Sequence, residues 1–171
     1  MIIVLNGPLG IGKSTLAEAL SERIEMCVSL DGDYLVAANP PAENELEHLH
    51  STIALVVDHH KKFGYRNFVI NHFWRSAEDL DELRSRLHAD SDFHCFRLTL
   101  PLDEIVRRIE RRAGARALDE IEFERATVVE EYEILNAGSG SELGEPFDVS
   151  AAPDELAERL LKRLCADATA R

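Results

Sequence analysis

Short apolar runs alternate with longer amphipathic stretches along this chain. The runs are Ile2–Leu5, Cys27–Leu30, Phe68–Ile70, Phe93–Leu100 and Phe147–Val149. Runs of this length without a polar face predict strands buried on both sides, as in a parallel sheet. Between them, apolar residues recur at helical spacing: Leu16, Ala17, Leu20 and Ile24, then Leu46, Leu49, Ile53, Val56, Val57, His60 and Phe63. A helix from Pro40-Pro41 to Gly64 is expected there, with Glu43, Glu45 and Glu47 at its positive end and Lys61 and Lys62 at its negative end. Further helices are predicted from Ser76 (Leu80, Leu83, Leu87) and from Pro101 (Leu102, Ile105, Val106, Ile109). Two more run through Leu118–Leu135 and from Pro153. Strand and helix in alternation give an α/β chain of right-handed βαβ units, with ligands at the carboxyl ends of the strands. At 171 residues the length fits a single domain, 1–171.

The turn after the first strand carries the chemistry. Gly7-Pro8-Leu9-Gly10-Ile11-Gly12-Lys13-Ser14-Thr15 matches G-x-x-x-x-G-K-[ST] between a buried strand and a helix, the context that phosphate-binding loop requires. Glycines let the backbone wrap an anion, and amides of the turn and helix N-terminus point at phosphate. Gly7, Gly10, Ile11, Gly12, Lys13, Ser14 and Thr15 are therefore the expected ATP-binding residues. Lys13 would reach the β- and γ-phosphates, and Ser14 would ligate Mg²⁺.

Asp31 and Asp33 follow the second strand, whose carboxyl end lies beside such a loop. One carboxylate there can serve Mg²⁺ and the other can accept a proton from an attacking hydroxyl. The third strand ends in Asn71 and His72 rather than in an acid, which leaves the metal-side acid on the second strand. Asn71, His72, Trp74 and Arg75 are expected to border an acceptor pocket, Trp74 by stacking a flat ring and Arg75 by clamping a polar or anionic group. Arg107, Arg108, Arg111, Arg112 and Arg116 cluster around Ala113-Gly114-Ala115. Arginines at a hinge can neutralise charge on a transferred phosphoryl group, so Arg112 and Arg116 are the catalytic candidates. Arg107 and Arg108 are read as structural or adenine-side, and Arg125 as a weaker candidate.

These residues resemble the small phosphate-loop kinases of the nucleoside/nucleotide-kinase-like group, which includes shikimate and gluconate kinases. Ser29-Leu30-Asp31-Gly32-Asp33-Tyr34-Leu35 is similar to the segment after the second strand of gluconate and adenylyl-sulfate kinases, and to the D-x-D of shikimate kinases. Chloramphenicol phosphotransferases and polynucleotide kinases also place an acid here. The resemblance implies a three-layer phosphate-loop fold with a five-stranded parallel sheet, order 2-3-1-4-5, and a helical lid over about 111–120. It implies Asp31 as a metal-side acid and Asp33 as the substrate-side acid or base. It also implies that the loop after the last strand, Ser150–Pro153, edges the adenine. Val36–Pro40 and Asn71–Arg75 follow neither kinase's pattern, so the acceptor is unassigned.

Charge and cysteines narrow the reading. A formal net charge of -13 argues against a broad nucleic-acid or membrane surface. Cys27, Cys95 and Cys165 are widely spaced and read as reduced thiols of a cytoplasmic protein. The four histidines His48, His50, His59 and His60 face different ways on one helix and do not make a metal set. The expected activity is transfer of the γ-phosphoryl group of ATP to a hydroxyl of a small molecule. Two alternatives are a nucleotide-binding regulatory module that hydrolyses slowly, and a kinase of nucleic-acid ends.

Overall fold

The apolar run Ile2–Asn6 forms β1, the middle strand of a sheet, and every one of its five residues is buried. Its side chains alternate between faces, as strand geometry requires. Ile3 and Leu5 enter one core, and Ile2 and Val4 the other. The remaining strands are β2 (Cys27–Asp31), β3 (Asn67–His72), β4 (Phe93–Thr99) and β5 (Glu145–Asp148). All pairings are parallel, in the order β2-β3-β1-β4-β5. The computed structural model describes residues 1–88, 92–112, 118–137 and 141–169, with backbone alone at 112, 118–121 and 167–169.

Helices α1 (Lys13–Ser21), α5 (Leu102–Arg112), α6 (Leu118–Asn136) and α7 (Pro153–Thr169) contribute to the first core through residues such as Leu16, Leu20, Ile105, Ile109, Val128 and Leu160. Helices α3 (Glu45–Lys62) and α4 (Ala77–Arg86) cover the opposite face with Leu49, Ile53, Val57, Leu80 and Leu83. This is the three-layer arrangement, and a one-turn helix α2 (Gly32–Leu35) follows β2. Parallel register puts Asn6 level with His72 and Asp31 level with Asn71. The carboxyl ends of three strands thus meet at one point.

One helix starts later than its sequence suggests. α3 begins at Glu45 behind an Asn44 cap, and Pro40-Pro41 stands outside it after a cis Asn39–Pro40 bond. The Asn44 side chain accepts from the Glu47 amide and satisfies a helix-end donor that proline cannot replace. α4 begins as expected at Ser76, which forms a reciprocal capping box with Asp79. Cys27 packs against the first core and Cys95 against the second, and burial pushes their thiols up to about 11 and about 12. No helix among the described residues is long and apolar enough to cross a membrane.

Candidate active site

Between β1 and α1 the backbone takes left-handed conformations at Gly10 and Gly12, with φ of 78° and 110°. A Cβ on Gly10 would also lie 2.5 Å from Cγ1 of Ile109 on α5, so both conformation and space demand glycine. Gly12 is the N-cap of α1 and provides no side-chain cap, whereas Asp31, Asn44 and Ser76 each cap the helix that follows. The first amides of α1 are thereby left for an anion. Lys13 is buried, and its Nζ donates to the carbonyls of Gly7 (2.8 Å) and Pro8 (3.2 Å). Burial lowers its pKa, while Glu131, Asp33 and Asp31 act to raise it.

Beside the loop lies a polar triad. Ser14 Oγ donates to Asp31 Oδ2 at 2.7 Å, and Asn71 Nδ2 donates to the same oxygen at 2.8 Å. Asn71 is buried and its Oδ1 has no hydrogen-bond partner among the described residues. A hydroxyl, a carboxylate and a spare amide oxygen in one corner are hard oxygen donors suited to Mg²⁺, directly or through its waters. The other Asp31 oxygen accepts the Asp33 amide at 3.1 Å and starts α2. Asp31 thus serves both the turn and the polar corner.

Asp33 does not stand alone. His72 Nδ1 lies 2.8 Å from Asp33 Oδ1. That hydrogen bond is the main cause holding the Asp33 carboxyl below its ordinary range; burial opposes it, and the charges of His72 and Lys13 add to it. An ionised carboxylate only accepts, so Nδ1 carries the proton and Nε2 is left as the outer nitrogen. A Cβ on Gly32 would lie 2.8 Å from Cβ, Cγ and Nδ1 of His72. The glycine of Asp31-Gly32-Asp33 is therefore the contact surface for the His72 ring, a function its sequence context does not disclose.

His72 opens onto a cavity of about 240 Å³ between α2, the start of α3 and the turn after β3, lined also by Val36, Glu45, Leu46, Leu49, Phe73, Arg75 and Asp79. Arg75 is in place at its rim, stacked 5.6 Å over Phe73 and paired with Glu130 at 3.0 Å. Trp74, expected to stack on an acceptor, is instead wholly buried in the second core. Its indole N–H donates to His50 Nε2 at 3.1 Å. The cause is Asn6, the residue before the loop. Its side chain donates to Trp74 O (3.1 Å) and accepts the Trp74 amide (3.0 Å), which draws the turn inward. Asn6 and His50 are thus supports that the sequence reading left without a role, and each is buried.

On the other side of the loop, Arg108 bridges the carbonyls of Ile11 (2.9 Å) and Val149 (3.0 Å). It lines a cavity of about 210 Å³ with Gly12, Thr15, Val149, Ala151 and Pro153. Arg107 and Arg111 pair with Asp103 and Glu104 on their own helix, and Arg125 pairs with Glu110. Arg116 and Gly114 lie outside the described residues, and of Arg112 the backbone alone is described, at the end of α5. A residue missed entirely is Glu131 of α6. Its Oε2 accepts the Leu9 amide of the loop at 2.6 Å. Burial raises its pKa, against the lowering effect of that amide and of Lys13. A carboxylate in the middle of a polar helix face carries no local signal, and only the packing of α6 over the loop reveals it.

A sheet of this order with this loop defines a nucleotide-binding phosphate-loop fold. The chain belongs to the AAA domain family (AAA_18), which it matches over residues 3–130. Solved structures share the fold across nearly the whole chain. A gluconokinase from Sinorhizobium meliloti is 18% identical with a TM-score of 0.72, covering 98% of this chain and 94% of that one. A tunicamycin resistance protein from Deinococcus radiodurans is 18% identical with a TM-score of 0.67, covering 95% and 94%. A shikimate kinase from Bacteroides thetaiotaomicron is 15% identical with a TM-score of 0.62, covering 96% and 98%. None of the curated proteins compared matches the chain.

Proposed function

We propose that this chain, as one domain over 1–171, is a cytoplasmic kinase that transfers the γ-phosphoryl group of ATP to a hydroxyl of a small molecule. The observation that carries this reading is the hydrogen-bonded Asp33–His72 pair, with His72 lining a cavity beside the phosphate-loop side of the sheet.

In this reading the amides from Gly10 to Thr15 hold the phosphates. Lys13 leaves the Gly7 and Pro8 carbonyls to bridge the β- and γ-phosphates. Ser14 and Asp31, with Asn71 behind them, would hold Mg²⁺, which would supply charge neutralisation on the phosphates. Arg108 and the Val149–Pro153 segment border the adenine. Asp33 accepts the proton of the acceptor hydroxyl as the oxygen–phosphorus bond forms and the bond from the γ-phosphorus to the bridging oxygen breaks, giving ADP and a phosphate ester. Its lowered basicity fits a loose transition state, in which orienting the hydroxyl counts for more than removing its proton. His72 fixes the carboxylate's direction. Arg112 and Arg116 are the lid arginines of this proposal.

The cavity also speaks to the acceptor. Val36, Leu46, Leu49 and Phe73 give it apolar walls, Glu45 and Asp79 give it negative charge, and Arg75 is already paired with Glu130. That lining favours a neutral or cationic hydroxyl compound with an apolar portion over a carboxylate or phosphate acceptor. The test is ADP release from MgATP with a panel of hydroxylated antibiotics, sugars and nucleosides. Stimulation together with a phosphorylated product supports the kinase. Steady hydrolysis that no acceptor stimulates supports a slow ATPase or regulatory module instead.

A further inference from the structure

We propose that Glu131 occupies the γ-phosphate end of the loop as an internal anion, so that the empty site discriminates against triphosphate in favour of diphosphate. The inference rests on the loop being a nucleoside-phosphate site.

Three observations place it. Pro8 has no N–H, so Leu9 provides the first backbone donor after Gly7 in the loop. Glu131 Oε2 accepts it at 2.6 Å, a short charge-assisted bond on a donor that a phosphate oxygen would otherwise use. Lys13 Nζ sits at the same end of the loop, on the Gly7 and Pro8 carbonyls, and feels the Glu131 charge. The lysine of such a loop bridges the β- and γ-phosphates, whereas the helix N-terminal amides at Gly12–Ser14 hold the inner phosphates. A diphosphate can therefore seat at the α1 end while Glu131 stays on Leu9. A triphosphate brings its terminal oxygens to the Leu9 end, where a partly buried carboxylate must withdraw.

The neighbouring residue ties this gate to the acceptor. Glu130 holds Arg75 at the rim of the 240 Å³ cavity, one residue before the carboxylate on the loop. α6 thus touches both half-sites through consecutive side chains. A cationic acceptor that takes Glu130 from Arg75 shifts the same turn of helix that carries Glu131. The γ-phosphate end then opens when there is a hydroxyl to receive the phosphoryl group, and water is denied it otherwise.

The experiment is calorimetric titration of the whole chain with MgADP and with the Mg²⁺ complex of an ATP analogue carrying a β,γ-methylene bridge. The proteins are wild type, Glu131→Gln, Glu131→Ala and the control Glu133→Gln, which alters charge equally on an exposed position of the same helix. Glu131→Ala is expected to tighten the ATP analogue about tenfold, the size of one charge-assisted contact released, and ADP by less than about twofold. Glu131→Gln should fall between, since it keeps an acceptor for the Leu9 amide but loses the charge. The proposal is overturned if the analogue binds Glu131→Ala no tighter than wild type, if ADP tightens equally, or if Glu133→Gln reproduces the effect. Failure of wild type to bind either nucleotide would instead sink the loop reading itself, and this inference with it.

Discussion

The two halves of the site are made of different material. The phosphate side is backbone: loop amides, an uncapped helix end at Gly12 and one lysine, all within Gly7–Thr15. The proposed acceptor side is side chains drawn from α2, β3, α3, α4, α6 and the turn after β3, with Asp33 held by His72 and Arg75 by Glu130. A backbone site is robust to most substitutions and recognises a common group, phosphate. A side-chain site is sensitive to each partner and can be retuned to a new acceptor without touching the loop.

The comparison breaks most severely at Lys13. Lys13→Ala should lower turnover by at least about 10³-fold and weaken ATP binding, because both the bound phosphates and the transferred phosphoryl group depend on that charge. Turnover and nucleotide titrations of the purified variant check it, and wild-type rates in a folded protein would overturn the loop's role. Asp33→Asn should sharpen the comparison. Here kcat should drop by about 10–10², at or below the low end for a general base, since the carboxylate is already weakly basic.

Next in size is the support of Asp33. His72→Ala removes the hydrogen bond that orients it and should reduce kcat by about tenfold, the worth of a good hydrogen bond. Gly32→Ala should do the same from the other side, by pushing the His72 ring off Asp33. If Gly32→Ala keeps full kcat, the close contact with His72 has no catalytic consequence.

The sequence disclosed these halves unequally, for the same reason. The loop is nine contiguous residues, so strand, turn and helix announce it together, and the sheet order implied by the resemblance to small phosphate-loop kinases is the order observed. Asp31 and Asp33 were legible because the second strand must end beside that loop. Glu131, Asn6 and the Gly32–His72 contact were not, because each depends on a partner 40 or more residues away. Trp74 misled for a related reason. Its polar neighbours Asn71, His72 and Arg75 suggest a surface turn, but Asn6 and His50 pull the indole into the core.

The smallest expected effect is on stability, through His50. Burial lowers its pKa, with Arg86 acting in the same direction and Glu82, Asp79 and Glu47 opposing. The unfolded chain takes up this proton near pH 6.5, the folded chain only at lower pH. Stability from His50 is therefore full above about pH 6.5 and declines as the pH falls from there toward the folded value. Urea unfolding followed by emission of Trp74, the single tryptophan, should show this slope between pH 7.5 and 5.5. His50→Gln should flatten it.

The central claim is that nucleotide binding and phosphoryl acceptance reside in separable structures, one of backbone and one of side chains. The most direct test follows labelled γ-phosphate from ATP into the best acceptor of the hydroxyl panel, for wild type and Asp33→Asn, with ATP affinity measured in parallel. The account predicts a transfer rate about 10–10² lower in Asp33→Asn at an ATP affinity unchanged within about twofold. Undiminished transfer in Asp33→Asn, or a loss of ATP affinity as large as the loss of rate, would contradict it.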